Sequence, residues 1–356
     1  MKRFIKYFLA GAALLLAVLL GYVIYVFAAY YRVEDRWALD IVSNPVESVR
    51  RGETYTAMSY NVGFFAYSDD YSFFMDGGEE SRARSKEAVA ENFSGAAEVI
   101  RSVDPDFLLA QEVDVYATRS WHIDEAALML TVLPEHGSVY AQNYDSPYLF
   151  WPLTEPHGAS ESGLLTFTRF RMGSALRRSL PIETGFTKFL DLDRCYSVTR
   201  LPVEGGGELC VYNAHLSAYT TDGTIANEQL KMLLADMAAE YAVGNYVICG
   251  GDFNKDLLGN SPEVFGVSGE EFTWAQPIPM ELIPEGITLV SSLDEEKPVP
   301  SCRNADSPYD LEKSFRLTVD GFLVSGNIEA VSRIVDTSFA WSDHNPVLLE
   351  FVLKNN

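Results

Sequence analysis

Positive charge is what this chain is short of. Its 356 residues hold 27 lysines and arginines against 50 aspartates and glutamates, a formal net charge of −23 with histidine neutral. Sequence-independent affinity for nucleic acid comes from Lys and Arg that neutralise backbone phosphates, so this balance argues against a general polyanion binder. Cysteine is scarce as well. Cys195, Cys210, Cys249 and Cys302 show neither a CxxC pair nor zinc-ligand spacing, which excludes a disulfide scaffold and a zinc ribbon. No disulfide is expected, and Cys249, inside an apolar run, reads as a small buried hydrophobe. There is no repeat at a fixed period and no long low-complexity tract, which rules out a solenoid. What the chain does have is apolar mass: 47% hydrophobic residues and 22% charged ones describe a globular protein with ample core. The length fits one large domain or two ordinary ones.

Charge is also missing locally. From Tyr7 to Tyr31 there is no Asp, Glu, Lys or Arg, and these 25 residues would make roughly 37 Å of helix at 1.5 Å per residue, enough to cross a bilayer with some tilt. Lys2, Arg3 and Lys6 precede the run and tyrosines cluster at its far end, as in an interfacial aromatic belt. A cleaved signal peptide is the rival reading, with "VFA" at 26–28 as a cleavage site, but the apolar region of a signal is normally shorter. The run therefore reads as an anchor. The leading cations place the short tail in the cytoplasm and everything after Arg32 outside, giving a single-pass cell-membrane protein with an extracellular domain. Residues 1–31 are tail and anchor, 32–52 read as a linker, and 53–356 as one domain.

Within that domain, apolar patterning predicts strands at 54–65, 106–113, 163–170, 247–252, 317–325 and 345–353, and a hairpin of 195–203 with 208–219 across "EGGG". Helices are predicted at 85–103, 124–133 and 224–241, and residues 255–310 read as an irregular stretch rich in Pro and Gly. Strands end on polar residues, so a site built from strand termini in a mixed α and β domain is expected.

The stretch "VICGGDFNKD" (247–256) shows why. An apolar strand ends on Asp252 and Asn254, two residues apart, where an extended backbone would aim both side chains the same way. An ordinary Asx turn would look similar. The rest of the chain decides between them. Asn61 in "SYNVG", Glu112 in "LAQEVD", Asn213 and His215 in "YNAHLS", Asp320 in "TVDGFLVS", and Asp343 with His344 in "WSDHNPV" all sit at strand ends.

In that order the motifs resemble the endonuclease/exonuclease/phosphatase superfamily, which includes secreted DNases, abasic-site endonucleases, neutral sphingomyelinases and inositol polyphosphate 5-phosphatases. The likeness runs from about residue 54 to 353. It implies an α/β (α+β) fold of the DNase I-like kind, a four-layer α/β/β/α sandwich, here preceded by one transmembrane helix. It also implies a Mg²⁺ (or Mn²⁺) cofactor near Asn61, Glu112 and Asp343, since hard divalent cations prefer carboxylate and amide oxygen. Catalytic roles fall to Asp252, which orients or deprotonates water, to Asn254, to His344 backed by Asp320, and to His215 as a second acid/base group. Asn213, Arg119 and Arg303 are candidate substrate contacts, and His122, His136 and His157 are expected at the surface. The implied activity is hydrolysis of a phosphoester, a small molecule or lipid ahead of nucleic acid, by a monomer at the outer membrane surface. An extracellular nuclease of the same superfamily is the alternative enzyme, and a non-catalytic binding module the alternative of another class.

Overall fold

The computed structural model describes residues 1–185, 188, 192–218, 223–267 and 274–355. Tyr219, at the end of the expected hairpin, and residues 268–273 of the expected irregular stretch lie outside them.

In chain order the strands are β1 Trp37–Ala38, β2 Thr54–Asn61, β3 Phe107–Ala117, β4 Gly137–Asp145, β5 Ser160–Thr168, β6 Ser174–Ser179, β7 Cys195–Pro202 and β8 Glu208–His215. There follow β9 Tyr246–Asp252, β10 Ile287–Val290, β11 Cys302–Arg303, β12 Arg316–Leu317, β13 Asp320–Ser325, β14 Ile328–Ile334 and β15 Val347–Leu353. The helices are α1 Lys2–Ala29, α2 Lys86–Val103, α3 Glu125–Met129, α4 Thr224–Ala242 and α5 Ser261–Phe265.

Strand alternation with both faces apolar decides the architecture. In β2, Tyr55 and Ala57 face one cluster while Met58 and Tyr60 face another, and in β3 Phe107 and Leu109 part from Leu108 and Ala110 in the same way. A strand apolar on both faces must be covered on both. Phe107, Leu109, Val211, Ile248, Phe322 and Leu349 pack between the sheets. Val89, Ala96 and Ile100 of α2 cover the outer face of one sheet, and Leu230, Leu233 and Met237 of α4 cover the other. Each of the larger of these side chains contributes about 1.5–3 kcal/mol on burial. The layers are therefore α2, the six-stranded sheet β14-β15-β2-β3-β5-β4, the seven-stranded sheet β1-β6-β7-β8-β9-β13-β10, and α4. This is the expected four-layer DNase I-like sandwich.

Most predicted elements are present, α2 with Ser85 as its N-cap, its hydroxyl accepting from the Ala88 N–H. The helix expected at 124–133 is shorter, Glu125–Met129. β4, β6, β10 and β14 were not anticipated. β14 is an edge strand with every second residue open to solvent, and Val331 on its exposed side and Ser332 on its covered side blur the alternation that would mark it. The expected linker is also stitched to the sheets: Trp37 and Ala38 pair with β6, Val42 bridges Ser138, and Val49 bridges Val203. Leu39 and Ile41 supply the reason, since both pack against the inter-sheet core. Among the described residues α1 is the helix long and apolar enough to cross a membrane, with a mean hydropathy of 2.5.

Candidate active site

Sheet register gathers the polar strand ends. β2 and β3 run parallel with Asn61 opposite Gln111. In the other sheet His215 lies opposite Asp252, and Asp252 opposite Asp320. All of these positions lie on one edge of the sandwich, and two glycines let the strands come together there. A Cβ on Gly251 would stand 2.0 Å from the Ala214 carbonyl oxygen of β8, and one on Gly250 2.7 Å from Leu109 of the facing sheet. Close backbone approach explains "GGDFN", because any larger residue would drive β9 away from its neighbours.

Glu112 reaches the same point by a different device. Ala110 pairs with Leu165 and Val113 with Gly163, so β3 has one residue more than β5 between these pairs. This bulge carries Glu112 at φ 56, and bulges commonly re-aim a side chain beside a site. Glu112 ends with Oε1 3.4 Å from the Asn61 amide nitrogen and 4.0 Å from His215 Nε2.

The remaining contacts close the cluster. Asn61 Nδ2 donates to Asp252 Oδ2 at 3.1 Å, and His215 Nε2 stands 3.5 Å from that same oxygen. His344 Nε2 is 3.5 Å from Asn61 Nδ2, while its Nδ1 is 2.8 Å from Asp320 Oδ2. The hydroxyl of Ser301 donates to that carboxylate oxygen at 2.8 Å and accepts from the N–H groups of Val319 and Asp320. Ser342 fixes the loop, donating to the Asn61 carbonyl at 2.8 Å and accepting from the His344 N–H. Asn254, at φ 48, has left extended geometry. Its N–H donates to Asp252 Oδ1 and its amide to the Leu216 carbonyl, and it still lines the cavity beside Asp252.

Their surroundings push the two histidines in opposite directions. Burial alone would lower the pKa of His344, but Asp320 foremost, with Asp343 adding, reverses this and holds it well above the usual value. Among the described residues His215 has no carboxylate behind its Nδ1, which is buried without a partner there. Burial, then the positive charge of Arg194 and His344, keep it well below the usual value. These opposite shifts favour the charged form of His344 and the neutral form of His215. Burial and the neighbouring Asp320 charge push Asp252 up to about 7, with His344 and hydrogen bonds from Asn254 and Asn61 pulling the other way. Burial also raises Asp343, with Glu112 adding to the shift.

This donor set fits a hard divalent cation. Glu112 and Asp343 line one cavity of about 140 Å³ and repel one another there, which a cation would relieve. The neighbouring Cys302 is pushed up to about 12 by burial, so it remains a thiol and offers no soft thiolate. The ligand atoms of Asp252, Asp320 and His344 also lie within 4.8 Å of one another. Asp320 and His344, however, already bond each other, which leaves Glu112 and Asp343 as the better oxygen donors.

Glu112, His215, Asp252, Asn254, Asp343 and His344 line the cavity together with Arg119 and Arg303. Asn213 does not reach it. It is fully buried below, donating to the Ala110 carbonyl and Thr166 hydroxyl and accepting from Gln111, so it ties the sheets together. Arg119 grips Asp114 at 2.8 and 3.1 Å and extends Nη1 to 3.8 Å from Glu112, its guanidinium stacked on Phe64. It positions Glu112. Arg303 donates to the carbonyls of Ser68, Tyr71, Asn304 and Ser307, so it shapes the cavity wall. The Asn61 amide oxygen accepts from Gly63 N–H, which leaves its nitrogen facing the cluster as a donor.

The histidine expectations need correcting too. His122 is exposed and stacks on Tyr116, but His136 and His157 are buried because each bonds a backbone carbonyl, of Pro105 and Ser81 respectively. His157 lines the cavity unforeseen, since it sits in no motif, and Tyr144, from the aromatic stretch 143–152, lines it too. Arg194 lines it as well. It precedes β7, whose start pairs with the end of β8 beside His215, so the hairpin register carried that signal.

Comparison with known proteins follows the geometry. The model of the Endonuclease/Exonuclease/phosphatase family matches residues 58–344. No curated protein matches the chain. Among solved structures, an endonuclease/exonuclease/phosphatase from Beutenbergia cavernae is similar at a TM-score of 0.60 and 17% identity, over 86% of this chain and 72% of that one. ANGEL2, a 2′,3′-cyclic phosphatase, is similar at a TM-score of 0.56 and 17% identity, over 92% and 100%. The human Nocturnin catalytic domain with bound sulfate is similar at a TM-score of 0.54 and 18% identity, over 89% and 98%.

Proposed function

The chain belongs to the endonuclease/exonuclease/phosphatase family, and from that premise we propose that it is a divalent-metal-dependent phosphoesterase, anchored by α1, acting on a small or lipid phosphoester outside the cytoplasm. The observation that carries the reading is the convergence of Asn61, Glu112, His215, Asp252 and His344 on one point, with a His–Asp pair behind it. A fold-keeping binding module has no use for two histidines whose surroundings shift them in opposite directions beside a carboxylate raised to about 7.

Glu112 and Asp343 would hold Mg²⁺ or Mn²⁺, which when bound neutralises charge on the phosphate oxygens. Asn61 would join them only by turning its amide over and giving up the Gly63 bond. Asp252 aligns the attacking water and accepts its proton, a task suited to a carboxylate whose affinity for protons is raised. His344 directs a charged N–H at a phosphate oxygen as negative charge develops, and Asp320 keeps it charged and oriented. Neutral His215, on the far side of Asp252, is placed to hydrogen-bond the departing oxygen, and Asn254 and Arg194 stand along the wall where the phosphate would enter.

Charge and tether favour the substrate class. The first 31 residues hold three cations and no acid, so the remaining 325 carry −26, a field that opposes a polyanion. A tethered enzyme meets membrane phosphoesters at high local concentration. The nuclease reading keeps support from the relatives: zebrafish TDP2, 13% identical at a TM-score of 0.52, is described in complex with a single-strand DNA product. Offering the protein phospholipid vesicles, small phosphoesters, single-stranded DNA and RNA under Mg²⁺ separates the readings. Preferential cleavage of lipid or small phosphoesters is expected, and efficient DNA or RNA cleavage with the others inert would reverse the ranking.

A further inference from the structure

Between β4 and β5 the chain makes a loop, residues 146–159, that presents Phe150, Trp151 and Leu153 at 52%, 65% and 76% exposure. Three large apolar side chains in four residues are a poor surface for water. Their neighbour is unusual. The Tyr22 hydroxyl of α1 donates to the Tyr148 carbonyl at 3.1 Å, and the Tyr148 N–H donates to the Tyr25 hydroxyl at 3.0 Å. The Tyr22 ring meets Phe150 edge-on at 5.1 Å between centroids.

Helix length converts this contact into a depth. Crossing the hydrocarbon core takes about 20 helical residues. Counted from Tyr7, the first residue after the leading cations, twenty residues end at Val26. Counted instead from Phe4, with Lys6 snorkelling outward, they end at Val23. Either boundary leaves Tyr22 inside, and tilt only moves it deeper. A side chain packed on the Tyr22 ring therefore lies at the edge of the leaflet. Trp and Tyr side chains favour that zone, where an apolar ring and a polar atom are both accommodated.

We propose that the loop carrying Phe150, Trp151 and Leu153 is a second membrane contact, a foot that dips into the leaflet from which α1 emerges. The proposal rests on the reading of α1 as a span. The foot's root is fixed: Glu155 binds Arg82 at 3.0 Å, and its carbonyl accepts from Ser81 at 2.5 Å. Its two ends hold the cavity, since Tyr144 just before the loop and His157 within it both line the active site. One short loop thus links the cavity wall to the bilayer, and phosphoesters of that leaflet become the nearest substrates. A foot also removes the freedom of a domain on a single tether, which keeps the cavity at a constant height.

Full-length protein reconstituted in phosphatidylcholine–phosphatidylglycerol vesicles tests this, using lipids brominated on the acyl chains to quench tryptophan fluorescence. The Trp151→Phe variant isolates the contribution of Trp151 among the 5 tryptophans. The expected result is a quenched component, stronger with shallow than with deep bromines, that falls at least twofold in the variant. Flotation of the same vesicles reports on α1 separately. Protein that floats with equal quenching in both forms overturns the foot and leaves the anchor standing. If Trp151 is at the same time shielded from an aqueous quencher, its cover is protein and the proposal is equally overturned. Protein that fails to float overturns anchor and foot together.

Discussion

Asp252 pays for its position in stability. Burial beside Asp320 raises its pKa from 3.8 to about 7, so the folded state binds a proton that the unfolded chain releases at lower pH. Stability from this group is complete below about pH 4 and is lost as pH rises toward 7, a loss of at most roughly 4 kcal/mol. Asp252→Asn removes the charge and keeps an oxygen for the Asn254 N–H, which bonds Oδ1, while its new NH2 replaces the Oδ2 that accepts from the Asn61 amide. In EDTA it should raise Tm at pH 7.5 by a few degrees, with no gain at pH 4, while turnover falls by orders of magnitude; thermal melts at both pH values check the sign. The same reasoning applies to His344. Its charged form is held by Asp320, so activity should persist into the alkaline range until pH passes the raised pKa. Asp320→Asn should move that alkaline limb to lower pH and reduce kcat at least tenfold. A pH–rate profile that lost height without moving its limb would point to a purely structural Asp320.

Two local devices place these side chains, and they differ in how readily sequence shows them. The close approach at the end of β9 was legible as "GGDFN" once the other polar strand ends were read beside it, because glycines let a neighbouring backbone come near. Gly251→Ala should cost at least 3 kcal/mol, since its Cβ would meet the Ala214 oxygen at 2.0 Å, and chemical denaturation of the variant measures it. The bulge that turns Glu112 was not legible. "LAQEVD" gives the acid but not the extra residue, which exists only relative to β5. The fate of Arg119 was hidden for the same reason: its partner Asp114 faces it because β3 continues past the bulge, so a cation beside a motif became the brace of Glu112. Arg119→Lys loses the paired hold on Asp114 and should raise the Mg²⁺ concentration for half-maximal activity severalfold with kcat little changed. His157 and Tyr144 enter the site from a loop and an unforeseen strand, neither of which has a pattern in the sequence alone.

At the scale of the molecule, apolar patterning announced the central strands and both covering helices of a mixed α and β domain, while their arrangement as two packed sheets was what the family resemblance implied. It missed that the segment 32–52 is fastened to the sandwich, through strand pairing, two bridges and the sparse apolar residues Leu39 and Ile41. The domain is therefore held to α1 by bridged backbone, and its cavity, its negative field and its aromatic loop act as one body. All of this presumes one chemistry: phosphoester hydrolysis at the Glu112, Asp252 and His344 cluster with a hard cation. The most direct test is turnover of a phosphodiester by the purified full-length protein, measured with Mg²⁺, after EDTA, and after Mg²⁺ is restored, in the wild type and in a folded His344→Ala variant. The expected result is activity that EDTA abolishes and Mg²⁺ recovers, reduced at least a hundredfold in the variant. Activity that survives rigorous chelation, or a His344→Ala protein that turns over like the wild type, would contradict it.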